Sequence, residues 1–355
     1  MLRRFLPGAL VLILGLLQAC GGAAAPAPST ATGSSVSGSN LKDLVAAANR
    51  EGKVKLYINS SVFTDQWLRT FEQAFNDNFG TKIAIIGTPG GNFTSDTAKV
   101  VTEASAGQQP SWDVMFTTDA HYATLSKAGL LGNGDWVKSF GAPEKAVVFG
   151  GGGFTFSQQL VTPAYNSKLV QASDLKAWDD LLDPKWAGKI GVNTATHHWG
   201  RLSLPWGDQK TTAFIEKLAA QKPKLGATPE TAQRLELGEI AIAATNTSTF
   251  VNDSQKKGAP VAAAAVEPIL LVYNMAGPLK GAANPNAAAL LAGFMATKKA
   301  QDLYEEASGE SSVFVTGSKY NKLVEGKQFV VMTDDFLAGE LDSRTAKYGK
   351  LLGFR

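Results

Sequence analysis

Short apolar strands alternate with amphipathic helices through the first half of the chain, and this alternation constrains the fold more than any other feature. The run Ile83-Ala84-Ile85-Ile86 is apolar at every position, as in a strand covered on both faces. Such a series predicts an α/β domain with a largely parallel sheet. The predicted order is strand Lys53–Asn59, helix Asp65–Phe79, strand Thr81–Gly87, helix Thr94–Ala106, strand Asp113–Thr118 and helix Ala120–Ala128.

A second series of strands and helices follows in the middle of the chain. Extended segments near 147–157 and 263–272 join the two series, so we expect two lobes with strands crossing between them. A chain of 355 residues with 44% hydrophobic residues is large enough to divide in this way. The second series is predicted as strand Lys189–Asn193, a helical region over 200–221, helix Pro229–Leu237, strand Glu239–Asn246, helix Thr249–Lys257, strands Val261–Val266 and Leu270–Asn274, and helix Pro285–Ala296.

The N-terminus has the layout of an export signal. Arg3 and Arg4 precede an apolar run, Phe5–Leu17, that is shorter than the roughly 20 residues a membrane-spanning helix needs. The string Leu17-Gln18-Ala19-Cys20 resembles the bacterial lipoprotein box, which implies cleavage after residue 19 and diacylglycerol on Cys20. An ordinary cleaved signal with an incidental cysteine is the alternative. Because the chain has 1 Cys, disulfides and cysteine-ligated metal sites are excluded.

The segment after Cys20 contains Gly, Ala, Pro, Ser and Thr and no charged residue up to Asn40, so we expect a flexible tether over 21–40. Removal of residues 1–19 lowers the formal charge from +3 to +1, because that segment carries two arginines and no acidic residue. A nucleic-acid binder would concentrate basic residues on one face. We therefore expect no nucleic-acid partner. We also expect the protein to be a monomer.

Small hydroxyl and amide residues follow most of the predicted strands. In α/β sheets ligands bind beyond the carboxyl ends of strands, beside helix N-termini. The same residue types are also preferred helix caps and turn formers, which is the structural alternative at each position. Tyr273, after the second crossing, is added as a candidate to stack on a ligand. The predicted ligand contacts are Asn59, Ser60, Thr88, Gly91, Thr118, His198, Arg201, Asn246, Thr247 and Tyr273.

The pentapeptide His197-His198-Trp199-Gly200-Arg201 has the most unusual composition of any short segment in the chain. Adjacent histidines point apart and His121 is far away in sequence, so no metal site is predicted. Arg201 has a guanidinium suited to a carboxylate or phosphate on a ligand, or to a salt bridge between the lobes. Both interpretations stay open.

No catalytic residue and no cofactor is predicted, because the sequence lacks the elbow, zinc, P-loop and dinucleotide motifs of common enzymes. A surface hydrolase on an α/β frame is the competing hypothesis, and it would need His121, His197 or His198 as its base. A sensory module that presents a solute to a membrane kinase is a third.

Two strings resemble a known family. They are Ala164-Tyr165-Asn166-Ser167-Lys168-Leu169-Val170 and Trp178-Asp179-Asp180-Leu181-Leu182-Asp183-Pro184-Lys185-Trp186-Ala187-Gly188-Lys189-Ile190. They resemble the extracellular solute-binding proteins of ABC importers, within the group of ferric-iron, thiamine, polyamine and phosphonate binders.

The resemblance implies a bilobal type 2 periplasmic-binding-protein fold, with two mixed-sheet lobes joined by crossing hinge strands. Lobe 1 would comprise 41–155 and 266–318, and lobe 2 would comprise 156–265 and 319–355. Closure about hinges near Phe154–Phe156 and Glu267–Leu270 would trap a small polar or anionic organic solute. The protein, anchored on the outer side of the cell membrane, would deliver that solute to permease and ATPase subunits.

Ferric iron is the alternative cargo within this family. Its ferric-binding members place adjacent tyrosines where this chain reads Thr245-Asn246-Thr247-Ser248-Thr249-Phe250, and some carry a histidine after the first strand, where this chain reads Asn59-Ser60-Ser61-Val62. Because neither ligand type is present, direct iron binding is disfavoured. Iron held through a bound carrier anion stays open.

Overall fold

The computed structural model describes residues 40–354. The signal segment, Cys20 and all but the last residue of the tether lie outside these residues, so their predictions are not tested by the structure. Within 40–354, every helix is too short or too polar to cross a bilayer.

The first sheet has three parallel strands in the order β2-β1-β3. The helix before β1 and those that follow β1 and β2 begin at Asn40, Thr64 and Asn92, whose side chains each accept a hydrogen bond from the first helical turn. The strands are β1 (Lys53–Asn59), β2 (Ala84–Gly90) and β3 (Val114–Met115), and the helices are α1 (Leu41–Glu51), α2 (Asp65–Phe79) and α3 (Phe93–Ser105).

The second sheet has eight strands and runs between the two halves of the molecule. Its main path is β4-β11-β6-β9-β7-β8, with β5 and β10 also paired to β6. β6 and β11 pair antiparallel along most of their length, while β7 pairs in parallel with β8 and β9. The strands are β4 (Thr117–Thr118), β5 (Val147–Val148), β6 (Gly153–Asn166), β7 (Ile190–Asn193), β8 (Lys224–Gly226), β9 (Ile242–Thr247), β10 (Val261–Ala263) and β11 (Leu270–Ala276).

Helices cover both sheets. The segment 336–340 forms one π-helical turn that leads into the last helix, and short 3-10 turns occupy 172–174, 178–182 and 184–186. The remaining helices are α4 (Asp119–Lys127), α5 (Trp136–Phe140), α6 (His197–Trp206), α7 (Asp208–Ala220), α8 (Thr228–Leu237), α9 (Ser248–Lys256), α10 (Pro285–Phe294), α11 (Lys298–Ser308), α12 (Lys319–Leu323) and α13 (Leu341–Leu352).

Two large apolar cores hold these layers together. In the first, Trp67 stacks on Phe71 with ring centroids 4.6 Å apart, and the all-apolar face of α10 is buried against α1. In the second, Trp178 lies edge-on to Trp199 and donates its indole N–H to the carbonyl oxygen of Pro268 at 3.1 Å. The family-like string around Trp178 therefore contributes Trp178, Leu181, Trp186 and Ile190 to the protein core.

The predicted fold class is confirmed, and its first elements are accurate. β1 and α2 have the predicted bounds. β2 begins three residues later than predicted, because Thr81 and Ile83 are hydrogen-bonded to the Asn76 side chain on α2. The sequence predicts nothing after Ala296, whereas the structure has three further helices there. The exact lobe boundaries stay a prediction.

Candidate functional site

The first turn of α4 meets α6 at a buried ion pair. Arg201 Nη2 lies 2.6 Å from Asp119 Oδ1, and both side chains are 0% exposed. Arg201 Nη1 also donates to the carbonyl oxygen of His197 at 3.2 Å. Asp119 belongs to the predicted lobe 1 and Arg201 to the predicted lobe 2, and the bond joins the N-terminus of α4 to α6.

Local structure explains both positions. Asp119 follows β4 in the first turn of α4, where the free N–H groups of a helix favour a negative charge. The Ala120 N–H donates to Asp119 Oδ1 at 2.9 Å. Arg201 lies on the second turn of α6, one turn after His197, so its guanidinium reaches back to that residue's carbonyl.

The chain has 3 histidines, and all of them lie near this ion pair. His121 Nδ1 is 2.8 Å from Thr118 Oγ1, and its Nε2 is 3.4 Å from Thr94 Oγ1. The rings of His197 and His198 meet edge-on with centroids 4.4 Å apart. Residues distant in sequence thus form one polar cluster of imidazoles, threonine hydroxyls and the ion pair.

The histidines in this cluster are neutral at physiological pH. Burial lowers the pKa of His121 to about 4 and that of His198 to about 3. Burial, helped by the neighbouring His198 and Arg201, also lowers the pKa of His197 well below its ordinary value. Since Asp119 and Arg201 neutralise each other, the cluster has no net charge at neutral pH.

Several buried polar atoms in this region have no hydrogen-bond partner. Among residues 40–354 they include Asp119 Oδ2, Arg201 Nε and His198 Nδ1. Native proteins leave few buried polar groups unpaired, so such a concentration indicates a place where another molecule supplies the partners. The hydroxyl of Thr117 in β4 is unpaired as well, and so, farther across the second sheet in β9, are those of Thr245 and Thr247.

The structure brings some of the predicted contacts together. Thr118, His198 and Arg201 belong to the cluster around Asp119. Asn246 and Thr247 are buried at the carboxyl end of β9, where Asn246 Oδ1 accepts the Thr247 N–H at 3.0 Å.

Four predicted residues form a second group, at the carboxyl edge of the first sheet. Asn59 pairs with Gly90 across the β1–β2 ladder, and the Ser60 N–H donates to the Gly90 carbonyl at 3.1 Å. Thr88 is half-buried within β2, and Gly91 is exposed just after it.

Two interpretations need correction. The Tyr273 ring is 0% exposed, packs edge-on against Phe314, and its hydroxyl accepts the Met332 N–H at 3.0 Å, so no solute stacks on it in this conformation. Arg201 forms a buried salt bridge with Asp119 and is not an open anion-binding group. Its charge is already neutralised by the protein.

The cluster does not have the arrangement of a metal site or a hydrolase. Within the described part of the chain, no three or more His, Cys, Asp or Glu side chains are placed to share a metal ion. His121 bonds to two threonine hydroxyls, and the described residues place no carboxylate in hydrogen-bond contact with its ring, as a catalytic triad would require.

Sequence reasoning missed Asp119, His121 and His197 as members of this cluster. The only available signal was the position of Asp119 directly after a strand and at the start of a helix. Its partner lies 82 positions away, and no local pattern connects the two.

A second buried carboxylate lies beside the crossing strands. Glu310 accepts hydrogen bonds from the Thr249 hydroxyl and, at 2.6 Å, from Asn274 Nδ2 on β11. Burial raises the pKa of Glu310 to about 7, against the lowering effect of these hydrogen bonds. This carboxyl therefore titrates near neutral pH at the junction of α9, β11 and α11.

The fold and sequence are similar to those of known binding proteins. Iron uptake protein A2 of Synechocystis sp. is 27% identical over 237 residues, which are 59% of this chain and 67% of the relative. The Trichodesmium protein IdiA (FutA), solved with iron and citrate, superposes with a TM-score of 0.69 at 18% identity, covering 86% of this chain and 100% of that one. AfuA of Actinobacillus pleuropneumoniae, solved with fructose-6-phosphate, gives a TM-score of 0.64 at 18% identity over 86% of this chain and 99% of that one.

The family model for bacterial extracellular solute-binding proteins matches residues 66–314, which include the whole second sheet, β2 and β3 of the first sheet, and the buried ion pair. Proteins of this kind bind solutes outside the cytoplasm and deliver them to the permeases of ABC importers. This chain belongs to the bacterial extracellular solute-binding protein family.

Proposed function

We propose that the cluster around Asp119 and Arg201 binds a small polar organic solute rich in hydroxyl groups. The unpaired buried atoms carry this proposal. Asp119 Oδ2 can only accept a hydrogen bond and Arg201 Nε can only donate one, while the unpaired Thr117 hydroxyl does either. A hydroxyl group also does both, so a polyol, a sugar or a hydroxy acid matches this set of partners.

Charge decides between neutral and strongly anionic solutes. The ion pair and the neutral histidines leave no net positive charge to offset a buried phosphate or dicarboxylate, and an uncompensated buried charge is costly. A neutral or singly charged hydroxylated solute is therefore favoured over a multiply charged anion.

Binding is coupled to the relative position of the two halves, since the cluster takes side chains from both α4 and α6. A solute that completes the unpaired hydrogen bonds stabilises the closed arrangement by its preference for that state. The segments 154–156 and 267–270 lie on or beside the crossing strands and are the proposed hinges. Small-angle scattering of the monomeric protein, with and without solute, measures such a closure.

A thermal-shift screen of the detergent-solubilised full-length protein tests the proposed solute class. The test compounds are polyols, sugars, hydroxy acids, phosphonates, polyamines and thiamine. A true solute at about 1,000 times its Kd stabilises the protein by roughly 4 kcal/mol. The Thr117→Val variant, which removes an unpaired buried hydroxyl two residues before Asp119, should weaken binding, while Thr211→Val serves as the matched control. Thr211 is buried to a similar degree, but its hydroxyl bonds to the Gly207 carbonyl at the start of α7. A response limited to phosphonates or polyamines would contradict the proposal.

Iron carried by an organic anion is a second candidate, favoured by the similarity to the iron uptake protein. Tyr57 is bonded to Asp96 at 2.6 Å and Tyr273 is covered, so neither phenol is free to ligate a metal in this conformation. The ion would enter with its chelator. A thermal-shift comparison of ferric citrate, citrate alone and ferric ion in a weak chelator tests this candidate. If iron enters with its chelator, only ferric citrate should stabilise the protein.

We further infer that Cys20 carries lipid and that residues 21–40 tether the folded part to the outer face of the membrane. Cell fractionation of the wild type and of Cys20→Ser tests this inference. The wild type should remain with membranes and have a mass increased by acyl chains, and the variant should be released. Equal release of both would refute lipid anchoring.

A further inference from the structure

A cavity of about 390 Å³ lies behind the crossing strands, between α9, the connection that follows β10, and α12. None of its lining residues comes from 41–155, and it includes neither Asp119 nor Arg201. It is therefore distinct from the polar cluster around Asp119 and Arg201, although it is lined by Asn246, one of the predicted ligand contacts. Its volume falls within the range of small-molecule binding sites, roughly 300–1,000 Å³.

The wall of this cavity is mainly apolar. Leu160 on β6, Val251 on α9 and Ile269 before β11 face it. Leu323, at the end of α12, also lines it and is 48% exposed, although a large aliphatic side chain gains stability when it is covered. The wall accommodates a compact apolar body.

Two polar groups without partners lie at the floor. The Tyr320 side chain is 2% exposed, and its hydroxyl makes no hydrogen bond among the described residues. Ser248 and Asn252 lie beside this hydroxyl, yet neither meets it with the distance and angles of a hydrogen bond. Asn252 Nδ2 is also buried and unpaired. The floor therefore offers two free hydrogen-bond donors to a molecule in the cavity.

The rim carries more positive than negative charge. Lys319 and Lys327 line the cavity together with a single carboxylate, Glu267. The Lys319 ammonium lies 5.5 Å from the centre of the Tyr320 ring, which brings a cation close to the free hydroxyl. The Glu267 carboxylate accepts the Gln328 N–H at 3.0 Å, so it is partly engaged. Glu305 and Glu310 also act on the Tyr320 hydroxyl, and Lys319 and Lys327 supply the positive charge that an anionic head group needs beside it.

We propose that this cavity is a second ligand site, specific for a small monocarboxylate with a compact apolar body. The carboxylate accepts hydrogen bonds from the Tyr320 hydroxyl and Asn252 Nδ2, with Lys319 supplying the compensating charge. The apolar body covers Leu160, Val251 and Leu323. The site lies against the connection to β11, so its occupant contacts a segment that joins the two halves of the molecule.

The test is a ¹⁹F NMR titration of the detergent-solubilised full-length protein with 4-fluorobenzoate, with 4-fluorobenzamide as an uncharged ligand of the same shape. We expect saturable binding of the acid and binding of the amide that is weaker by about tenfold or more. Tyr320→Phe should raise the Kd of the acid by about tenfold, because it removes one donor and nothing else. Lys322→Gln is the control on the same helix, since Lys322 does not line this cavity, and it should leave the Kd unchanged.

Three results would overturn the proposal. They are no saturable binding of the acid up to roughly 10 mM, a Kd that is the same in wild type and Tyr320→Phe, and equal affinity for the acid and the amide. If Tyr320→Phe reduces the stability of the protein, Lys319→Gln provides the second variant. Lys319 is exposed, so its substitution leaves the core intact while it removes the compensating charge.

Discussion

The Asp119 carboxylate and the Arg201 guanidinium, 82 positions apart in sequence, form a 2.6 Å ion pair from which solvent is excluded. Removing one partner of a buried pair leaves the other charge uncompensated, which typically costs about 3–5 kcal/mol. Replacing both partners together costs less stability than removing one of them. The bond is thus a strong constraint on the relative position of α4 and α6.

A double-mutant cycle measures this constraint. We expect Asp119→Asn and Arg201→Met each to lower the free energy of unfolding by about 3 kcal/mol or more, and the double variant to lose clearly less than the sum. Lys127→Met is the control, since it breaks a pair with Asp342 that is largely exposed and worth at most about 1 kcal/mol. Denaturant unfolding supplies the values, and additive losses would contradict the buried coupling.

The histidines make the protein sensitive to acid. In the unfolded chain they titrate near 6.5, whereas the folded values are about 4 for His121 and about 3 for His198. The unfolded state therefore binds more protons as the pH falls below 6.5, so stability is present above this pH and is lost below it. Each histidine contributes a slope of up to about 1.4 kcal/mol per pH unit.

Unfolding free energies of the wild type and His198→Asn, measured between pH 4 and 7, test this sensitivity. The variant should show a shallower loss of stability with acid, whatever its stability at neutral pH. Identical slopes would mean that His198 is accessible to protons in the folded protein.

Glu310 has the opposite dependence on pH. Its ordinary pKa of 4.5 rises to about 7 in the folded protein, so the folded state retains a proton that the unfolded chain releases. The contribution of this residue is favourable below about 4.5 and is lost as the pH rises through 7. Glu310→Gln should therefore gain stability relative to the wild type with rising pH, by an amount on the order of 3 kcal/mol at pH 8. Glu325→Gln, at an exposed position, is the control for charge alone.

Gly277 lies at a point where two backbones are in close contact. A Cβ atom placed there would be 2.4 Å from the Gly152 carbonyl oxygen, which is backbone and unable to rotate away. We expect Gly277→Ala to lower the melting temperature, with a loss of about 2–3 kcal/mol. Gly339→Ala, where a Cβ meets no atom within 4 Å, should be neutral or slightly stabilising. Equal effects of the two substitutions would contradict the close contact.

Local sequence patterns predicted much of the fold. The bounds of α2 follow from the Thr64 cap and from Gly80, which ends the helix with a φ of 65°. The last helix, which was not predicted, contains Gly349, and glycine disfavours a helix interior. In the structure Gly349 allows α13 to approach α6, since an added Cβ would lie 3.3 Å from the Thr196 hydroxyl. The packing of α13 against α6 therefore outweighs the low helix propensity of this glycine.

The candidate site was predicted less completely than the fold. Strand ends indicated Thr118 and Thr247, because the end of a strand is a local property of the sequence. The partner of Arg201 depends on how the two halves come together, and the three histidines form one cluster only after the chain has crossed between them. The sequence indicated an anion-binding group at Arg201, whereas the structure shows a cluster in which Asp119 neutralises that charge.

The Trp67 indole N–H donates to the carbonyl oxygen of Leu303, 236 positions later, and α10 packs on α1. The first half of the molecule therefore cannot complete its core until nearly the whole chain is available. Interactions this distant in sequence form slowly and late. A growing chain of this protein therefore lacks the covering layer of its first core through most of its synthesis.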